Sequence, residues 1–473
     1  MMKRRTLTIL WAMFTAVGCT AQPPRTVYEP VRFEDGAAVT VDPEAETLFA
    51  QDTFLVDTTV SPKGDTTFVF RHAGAFVRLQ LDGLPADTGI DRISLVPMEG
   101  ERALIPLTNP ESGTLTMWMA KAPGMLPATA AIAQGADGRL WSVRLPAIDL
   151  QPGFAYLWTG TFLPPDPPGA DLRARALPQT LMDIEPGEYS GITHISGNRY
   201  AVVDDNLKGG GIVLFSIPVS ADGIIGRIVR QTADGTANAT GKAQDCEGIA
   251  YVPSTGTLFV STEKQEIREY DLSGRATGKA LRIPKDMGPA HIGKNRGFEA
   301  LTYNDATGLF WTTTESPLKQ DTFLPRILRL QSFTADGAPA ERYFYQTGEP
   351  LKSSKGTSAY VFGIPALTAL PDGRLLVLER EVFVPNSGFW GKFSDSFTKT
   401  DLYLVDPVHD TAGILRKTLL CSFRTGALDL ANYEGMCLGP VLPDGTRCLL
   451  LVADSQKGSG GLTSEYMKVI LLR

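Results

Sequence analysis

Five short segments of this chain resemble one another, and a repeat at that spacing restricts a β-rich sequence to a small set of architectures. They are Ser190-Gly191-Ile192-Thr193, Glu247-Gly248-Ile249-Ala250, Glu299-Ala300-Leu301-Thr302, Pro365-Ala366-Leu367-Thr368 and Glu434-Gly435-Met436-Cys437, at intervals of 52 to 69 residues. Each leads through a turn into an apolar run that ends on an acid: Asp204, Glu263, Glu315, Glu379 and Asp454. The midpoint of every pair falls on a turn signal, at Gly197, Gly256, Gly308, Asp372-Gly373 and Asp444-Gly445. Each pair is therefore expected to close an antiparallel hairpin, with the motif residue opposite the acid at the open end. Further strand-like runs follow each acid, such as Glu266 to Asp271 and then Ala280 to Ile283. Three to four strands per repeat describe the blades of a β-propeller, five by this count, with room for a sixth in the longer insertions. The last blade runs out of chain after Met467 to Leu472, and Leu172 to Leu177 could supply its missing strand and close the ring.

Ahead of the repeats, Leu163-Pro164-Pro165-Asp166-Pro167-Pro168-Gly169 favours extended, unpaired backbone and reads as a stiff linker. Residues 28–162 before it carry short alternating or apolar runs with little helical periodicity, for example Ala75 to Leu81 and Ala155 to Gly160. That pattern suggests a β-sandwich. The expected organisation is thus an all-β chain with a signal segment at 1–19, a sandwich at 28–162, a linker at 163–178 and a propeller at 179–473. The first residues read as an export signal: Lys3-Arg4-Arg5 precedes an apolar run from Thr6 to Val17 that is too short to span a bilayer. Ala16-Val17-Gly18-Cys19 resembles a bacterial lipobox. Cys19 would then be the lipidated N-terminus of an exported protein, tethered to the cell envelope at the outer membrane and touching the membrane only through its lipid.

A net charge of −7 argues against a nucleic-acid partner. The four remaining cysteines, Cys246, Cys421, Cys437 and Cys448, show no CxxC spacing for zinc. No GxSxG elbow, HExxH or P-loop is present. Arg71-His72 and His409-Asp410 imitate pieces of a histidine acid phosphatase, but at the wrong spacing.

If the hairpins line a propeller axis, their open ends bring eight acids to one mouth: Asp204, Glu247, Glu263, Glu299, Glu315, Glu379, Glu434 and Asp454. Two carboxylates about 5 Å apart repel by roughly 3 kcal/mol at an effective dielectric near 20. Such a ring needs cations, basic side chains or hydrogen-bond donors, and calcium, a hard ion that takes oxygen ligands, fits that need. Asp204, Glu247, Glu299, Glu315, Glu434 and Asp454 are the expected metal ligands, with neutral oxygens from Asn206, Asn295 and Asn432 nearby. Lys264, Lys294, Arg296 and Arg380 stand among the acids, and Arg268 and Arg326 lie close in sequence; such cations suit a phosphorylated ligand. Glu263 and Glu379 are the candidate general bases. The same residues also admit a bland role, in which each Glu accepts hydrogen bonds from the next blade and each acid pairs with a basic neighbour.

Asp245-Cys246-Glu247-Gly248-Ile249-Ala250, Asn295-Arg296-Gly297-Phe298-Glu299-Ala300-Leu301 and Gly373 to Arg380 resemble the phytase-like, "esterase-like activity of phytase" β-propeller family. Val203-Asp204-Asp205-Asn206 and Asn432 to Met436 fit it too, so the likeness covers about 180–473. It departs at Asp454-Ser455-Gln456 and at Cys246, where the family usually has other residues. The resemblance implies a propeller that acts on phosphate esters. The N-terminal region resembles fimbrillin-type sandwich domains of bacterial lipoproteins. The expected activity is metal-dependent hydrolysis of phosphate monoesters at the funnel. A non-catalytic surface propeller that binds a ligand or partner, and a metal-dependent lactonase or esterase, stay open as alternatives.

Overall fold

A computed structural model describes residues 25–473 except 38, 40–42, 61–65, 85–88, 100–112, 167–168, 185–186, 205–210, 232–236, 239–244, 294–295, 322–323, 389–390, 392–393, 427 and 456–463. The export signal with Cys19, and Asn206, Lys294 and Asn295, lie outside the described residues.

The chain packs as two units that interleave in sequence. One comprises residues 1–89, 108–128 and 145–162, and the other 90–107, 129–144 and 163–473. The first is built on strands, with one described helix at Pro43–Gln51. Ala75–Asp82 pairs in parallel with Phe154–Thr161 and antiparallel with Leu115–Lys121. Its alternate side chains are buried, with Phe76, Trp118 and Ala155 packing beneath the helix residue Ala45.

A cut at the proline-rich segment does not separate the units. Strands Ile90–Pro97, Thr129–Gly135 and Leu140–Leu145 form a sheet whose residues up to 144 group with the propeller. Hydrogen bonds explain this. Arg144 N–H donates to Thr411 O (2.8 Å), Ile414 N–H donates to Ser142 Oγ (3.0 Å), and the Arg342 guanidinium reaches Met98 O (2.7 Å).

Five antiparallel sheets make the propeller. The inner strand and its hairpin partner are Tyr189–Ser196 with Arg199–Asp204 in blade 1, and Cys246–Val252 with Thr257–Thr262 in blade 2. They are Phe298–Asn304 with Leu309–Thr314 in blade 3, and Thr357–Ala369 with Leu375–Pro385 in blade 4. Blade 5 uses Asn432–Val441 with Arg447–Asp454. Every hairpin expected from the repeat is present. Each inner strand neighbours the next, and the fifth neighbours the first, so the ring is closed. The closing strand is the one foreseen: Ala174–Ala176 pairs with Tyr466–Leu472 at the end of the chain, and Thr180–Leu181 adds a second short contact.

Five apolar cores fill the five gaps between blades. The two-residue period of a strand divides each blade between two of them. In Tyr200-Ala201-Val202-Val203, Tyr200 and Val202 pack toward blade 5, while Ala201 and Val203 pack toward blade 2. This is why the second strands read as unbroken apolar runs: both faces are buried.

At the axis the inner strands come too close for side chains. A Cβ added at Gly191 would sit 2.4 Å from Glu247 O, one at Gly248 would sit 2.6 Å from Leu301 N, and one at Gly435 would sit 2.9 Å from Ile192 N. The glycine of the repeat is therefore a packing requirement of ring closure. Gly248→Ala and Gly435→Ala are each expected to lower unfolding free energy by about 1–3 kcal/mol, as overpacking does. Gly426→Ala, in open space, should change it by less than about 0.5 kcal/mol. Urea midpoints at constant slope would check both.

A carboxylate cluster at one mouth of the propeller

The motif residue of each blade occupies a register break. The ladders shift between Tyr189 and Gly191, Cys246 and Ile249, Phe298 and Ala300, Gly363 and Ala366, and Tyr433 and Gly435. Ser190, Glu247, Glu299, Ile364-Pro365 and Glu434 are thus the bulged positions. A bulge re-aims its side chain away from the regular alternation. Here it lets a Glu be followed by a glycine or alanine that packs at the axis.

Three glutamates meet. Glu247, Glu263 and Glu299 each offer a carboxylate oxygen within 4.8 Å of the others. Glu247 and Glu299 are buried, and Glu263 is partly so. Glu263 stands just past the second strand of blade 2, where its own N–H is held by Asp245 O (3.1 Å) and its Oε2 accepts from Gly297 N–H (2.8 Å). Burial, with the charges of Glu247, Glu315, Glu434 and Glu263, pushes the Glu299 carboxyl well above the ordinary glutamate value. Burial raises Glu263 as well, reinforced by Asp245 and Glu315 and opposed by the Gly297 hydrogen bond.

A second group lies beside it, organised by Arg380. This guanidinium, 2 % exposed, bonds Asn432 Oδ1 (2.7 Å), Glu434 and Glu315 Oε1 (2.7 Å). Arg296 Nη1 takes the other oxygen of Glu315 (2.6 Å). Burial works against the Arg380 charge, but Glu434, Glu315 and Glu299 more than offset it. Burial raises Glu434, and Arg380 pulls it back. The group ties blades 3, 4 and 5 together across the mouth.

The expected site residues stand in different settings. Arg380, expected to grip substrate, spends its hydrogen bonds on Glu315, Glu434 and Asn432; its flat, many-donor head suits that bridging position. Glu315 and Glu434, expected as metal ligands, are held in ion pairs with it. Glu379, expected as a general base at the mouth, is elsewhere. Because neighbours on a strand point to opposite faces, Arg380 at the axis sends Glu379 the other way. There it accepts from Gly348 N–H (2.8 Å), the Tyr345 hydroxyl and Lys417. Asp204 is buried and accepts from Glu188 N–H (3.4 Å), outside the close trio. Asp454 is likewise buried and outside it. Lys264 is exposed beside Glu263. Arg268 pairs with Glu266 and Arg326 with Glu349.

The donor set suits a hard divalent cation. Two arginines face Glu315 and Glu434, charge for charge, and the trio adds three further carboxylates. Those oxygens can remain together only with protons or a cation among them, and all-oxygen coordination is what calcium takes.

A sequence profile of the family described as "Phytase-like: Esterase-like activity of phytase" matches residues 184–456. The chain belongs to the phytase-like family. The match covers the inner hairpin of every blade and both charged groups at this mouth, and leaves out the outer strands of blade 5. No curated protein matches the chain. Among solved structures, this phytase-like protein shares 16% identity with an aldose sugar dehydrogenase from Streptomyces coelicolor in its PQQ-bound form, over 65% of this chain and 100% of that one (TM-score 0.34). A streptogramin B lyase shares 13% over 63% and 98% (TM-score 0.26). A protein of unknown function from Bacteroides thetaiotaomicron VPI-5482 shares 11% over 92% and 100% (TM-score 0.31).

Two outcomes follow for stability. Arg380→Met removes the guanidinium between buried Glu315 and half-buried Glu434 and is expected to cost about 3–5 kcal/mol in denaturant unfolding. A carboxyl whose folded value is raised contributes stability that is complete below its ordinary value of 4.5 and is lost as pH rises through the raised value. In EDTA the wild type should therefore lose melting temperature relative to Glu299→Gln as pH climbs from that value toward neutrality. Added calcium should remove the difference.

Proposed function

We propose that this protein is an exported, lipid-anchored envelope protein whose phytase-like propeller hydrolyses phosphate monoesters of a small molecule at the carboxylate mouth. The observation that carries the reading is the approach of Glu247, Glu263 and Glu299 to within 4.8 Å, which makes a seat for calcium. Bound there, the ion would supply Lewis-acid polarisation of a phosphate oxygen and a more acidic water. Glu263 is the least buried of the three. Its Oε2 is fixed by Gly297 N–H, and its carboxylate is the one that would orient a water and take its proton. The Arg296 side chain is 38% exposed with Nη1 on Glu315, so its remaining N–H donors can reach the phosphate. Lys264 adds a mobile positive charge from the adjoining turn. Gly191, Gly248 and Gly435 close the floor, so substrate would enter and leave by the same mouth.

The test is phosphate release from phytate and p-nitrophenyl phosphate by full-length protein, with calcium or with EDTA. Release is expected to need calcium, to fall at least 100-fold in Glu263→Gln and Glu299→Gln, and to show a raised KM in Arg296→Met. A calcium-dependent rise in melting temperature with no turnover of phosphate esters would instead mark a ligand-binding propeller. Turnover of lactones or carboxylic esters alone would mark the esterase alternative.

A further inference from the structure

The opposite end of the same axis holds a separate cavity of about 270 Å³. Its wall comes from the far halves of the inner strands: Thr193-His194, Tyr251, Thr302-Tyr303, Thr368-Ala369 and Cys437-Leu438. Glu299 and Tyr303 are four residues apart on one strand, about 13 Å at ~3.3 Å per residue. Between the two ends the axis narrows to about 10 Å³, among residues that include Gly191, Gly248 and Gly435. That is space for a single water at most. A molecule in the far cavity therefore cannot touch the carboxylate trio.

The floor is apolar, with Ile192, Ile249, Leu301 and Met436. Two aromatic side chains, Tyr251 and Tyr303, stand in the wall. Both are half-buried, and neither hydroxyl has a hydrogen-bond partner among the described residues. Arg447 also lines the cavity. Its Nη1 donates to Gly439 O (3.1 Å), and it makes no ion pair among the described residues. It differs in this from Arg296 and Arg380 at the other mouth. Asp305, the one carboxylate in the lining, is exposed to solvent, where water and salt screen its charge. The wall's hydroxyls each make one bond to the backbone: Thr193 Oγ1 accepts from Tyr251 N–H (3.1 Å), Thr302 Oγ1 accepts from Ala369 N–H (3.1 Å), and Thr368 Oγ1 donates to Met436 O (2.9 Å). Above the apolar floor the wall is largely polar, with two phenols, the hydroxyls of Thr193 and Thr302, and one half-buried guanidinium open to a ligand.

We propose that this cavity is a second, metal-independent binding site for a small aromatic carboxylate. The ring would lie on the apolar floor against Tyr251 and Tyr303, and the carboxylate would take the free N–H donors of Arg447. An apolar floor with polar groups converging above it can fix both the position and the orientation of a small molecule.

The experiment is calorimetric titration of the full chain with 4-hydroxybenzoate, in EDTA and again in calcium. Saturable binding is expected at a dissociation constant of about 1 mM or tighter, within the range open to a ligand of this size. It should be the same with and without calcium and unchanged in Glu299→Gln, so it stands or falls apart from the phosphatase reading. Arg447→Met should weaken it at least tenfold and Arg447→Lys less, with near-ultraviolet circular dichroism showing that each variant is folded. Neutral 4-hydroxybenzamide tests the anion without any mutation and should bind at least tenfold more weakly. Absence of saturable binding, equal affinity for the amide, or undiminished affinity in folded Arg447→Met would each overturn the proposal.

Discussion

Closure of five blades on one axis is the constraint from which the other features follow. Backbone from neighbouring inner strands meets at van der Waals distance around Gly191, Gly248 and Gly435, so those three positions admit no side chain, and blades 3 and 4 place only Ala300 and Ala366 there. Each inner strand relieves that crowding with a bulge one residue earlier, and the bulged residue is turned toward the mouth. Acid placement is thus tied to packing. The residue that must step out of the ladder is a Glu in blades 2, 3 and 5. Blade 4 uses Pro365, whose missing N–H a bulge tolerates.

Charge at the mouth divides into two groups with different physics. Around Arg380, two carboxylates and an amide oxygen satisfy a buried guanidinium, and Arg296 supports one of those carboxylates from outside. That group has its own counter-charges and bridges three blades. In the trio of Glu247, Glu263 and Glu299, burial and the charges of Glu247 and Glu263 raise the proton affinity of Glu299, and burial raises that of Glu263. The arginine-centred frame lies directly beside this trio.

The two ends of the axis contrast in the same terms. One is acidic, with its arginines engaged. The other has an apolar floor under Tyr251 and Tyr303, with Arg447 in no ion pair among the described residues. The glycine constriction keeps them apart, so one ring of strands presents two chemically distinct concavities.

Much of this was legible from residue order. Hairpin positions, five of the possible five or six blades and the strand that closes the ring follow from a repeat with turn signals at its midpoints, because local turn chemistry and strand period are properties of short segments. The meeting of Glu247 with Glu299 was legible too, since equivalent positions of adjacent repeats must be neighbours in a ring. What the order of residues left undetermined is which face of a strand each side chain takes. Glu379 aligned with the other acids, yet a one-place difference in register put Arg380 at the axis and Glu379 against Tyr345 and Lys417. The split of the acids between an arginine-bound group and a carboxylate trio, the grouping of residues 90–107 and 129–144 with the propeller, and the cavity beside Arg447 have no counterpart in any single segment. They depend on contacts between residues tens to hundreds of positions apart. A bulge of one residue reverses a side chain's direction, and only the closed ring of blades decides where each bulge falls.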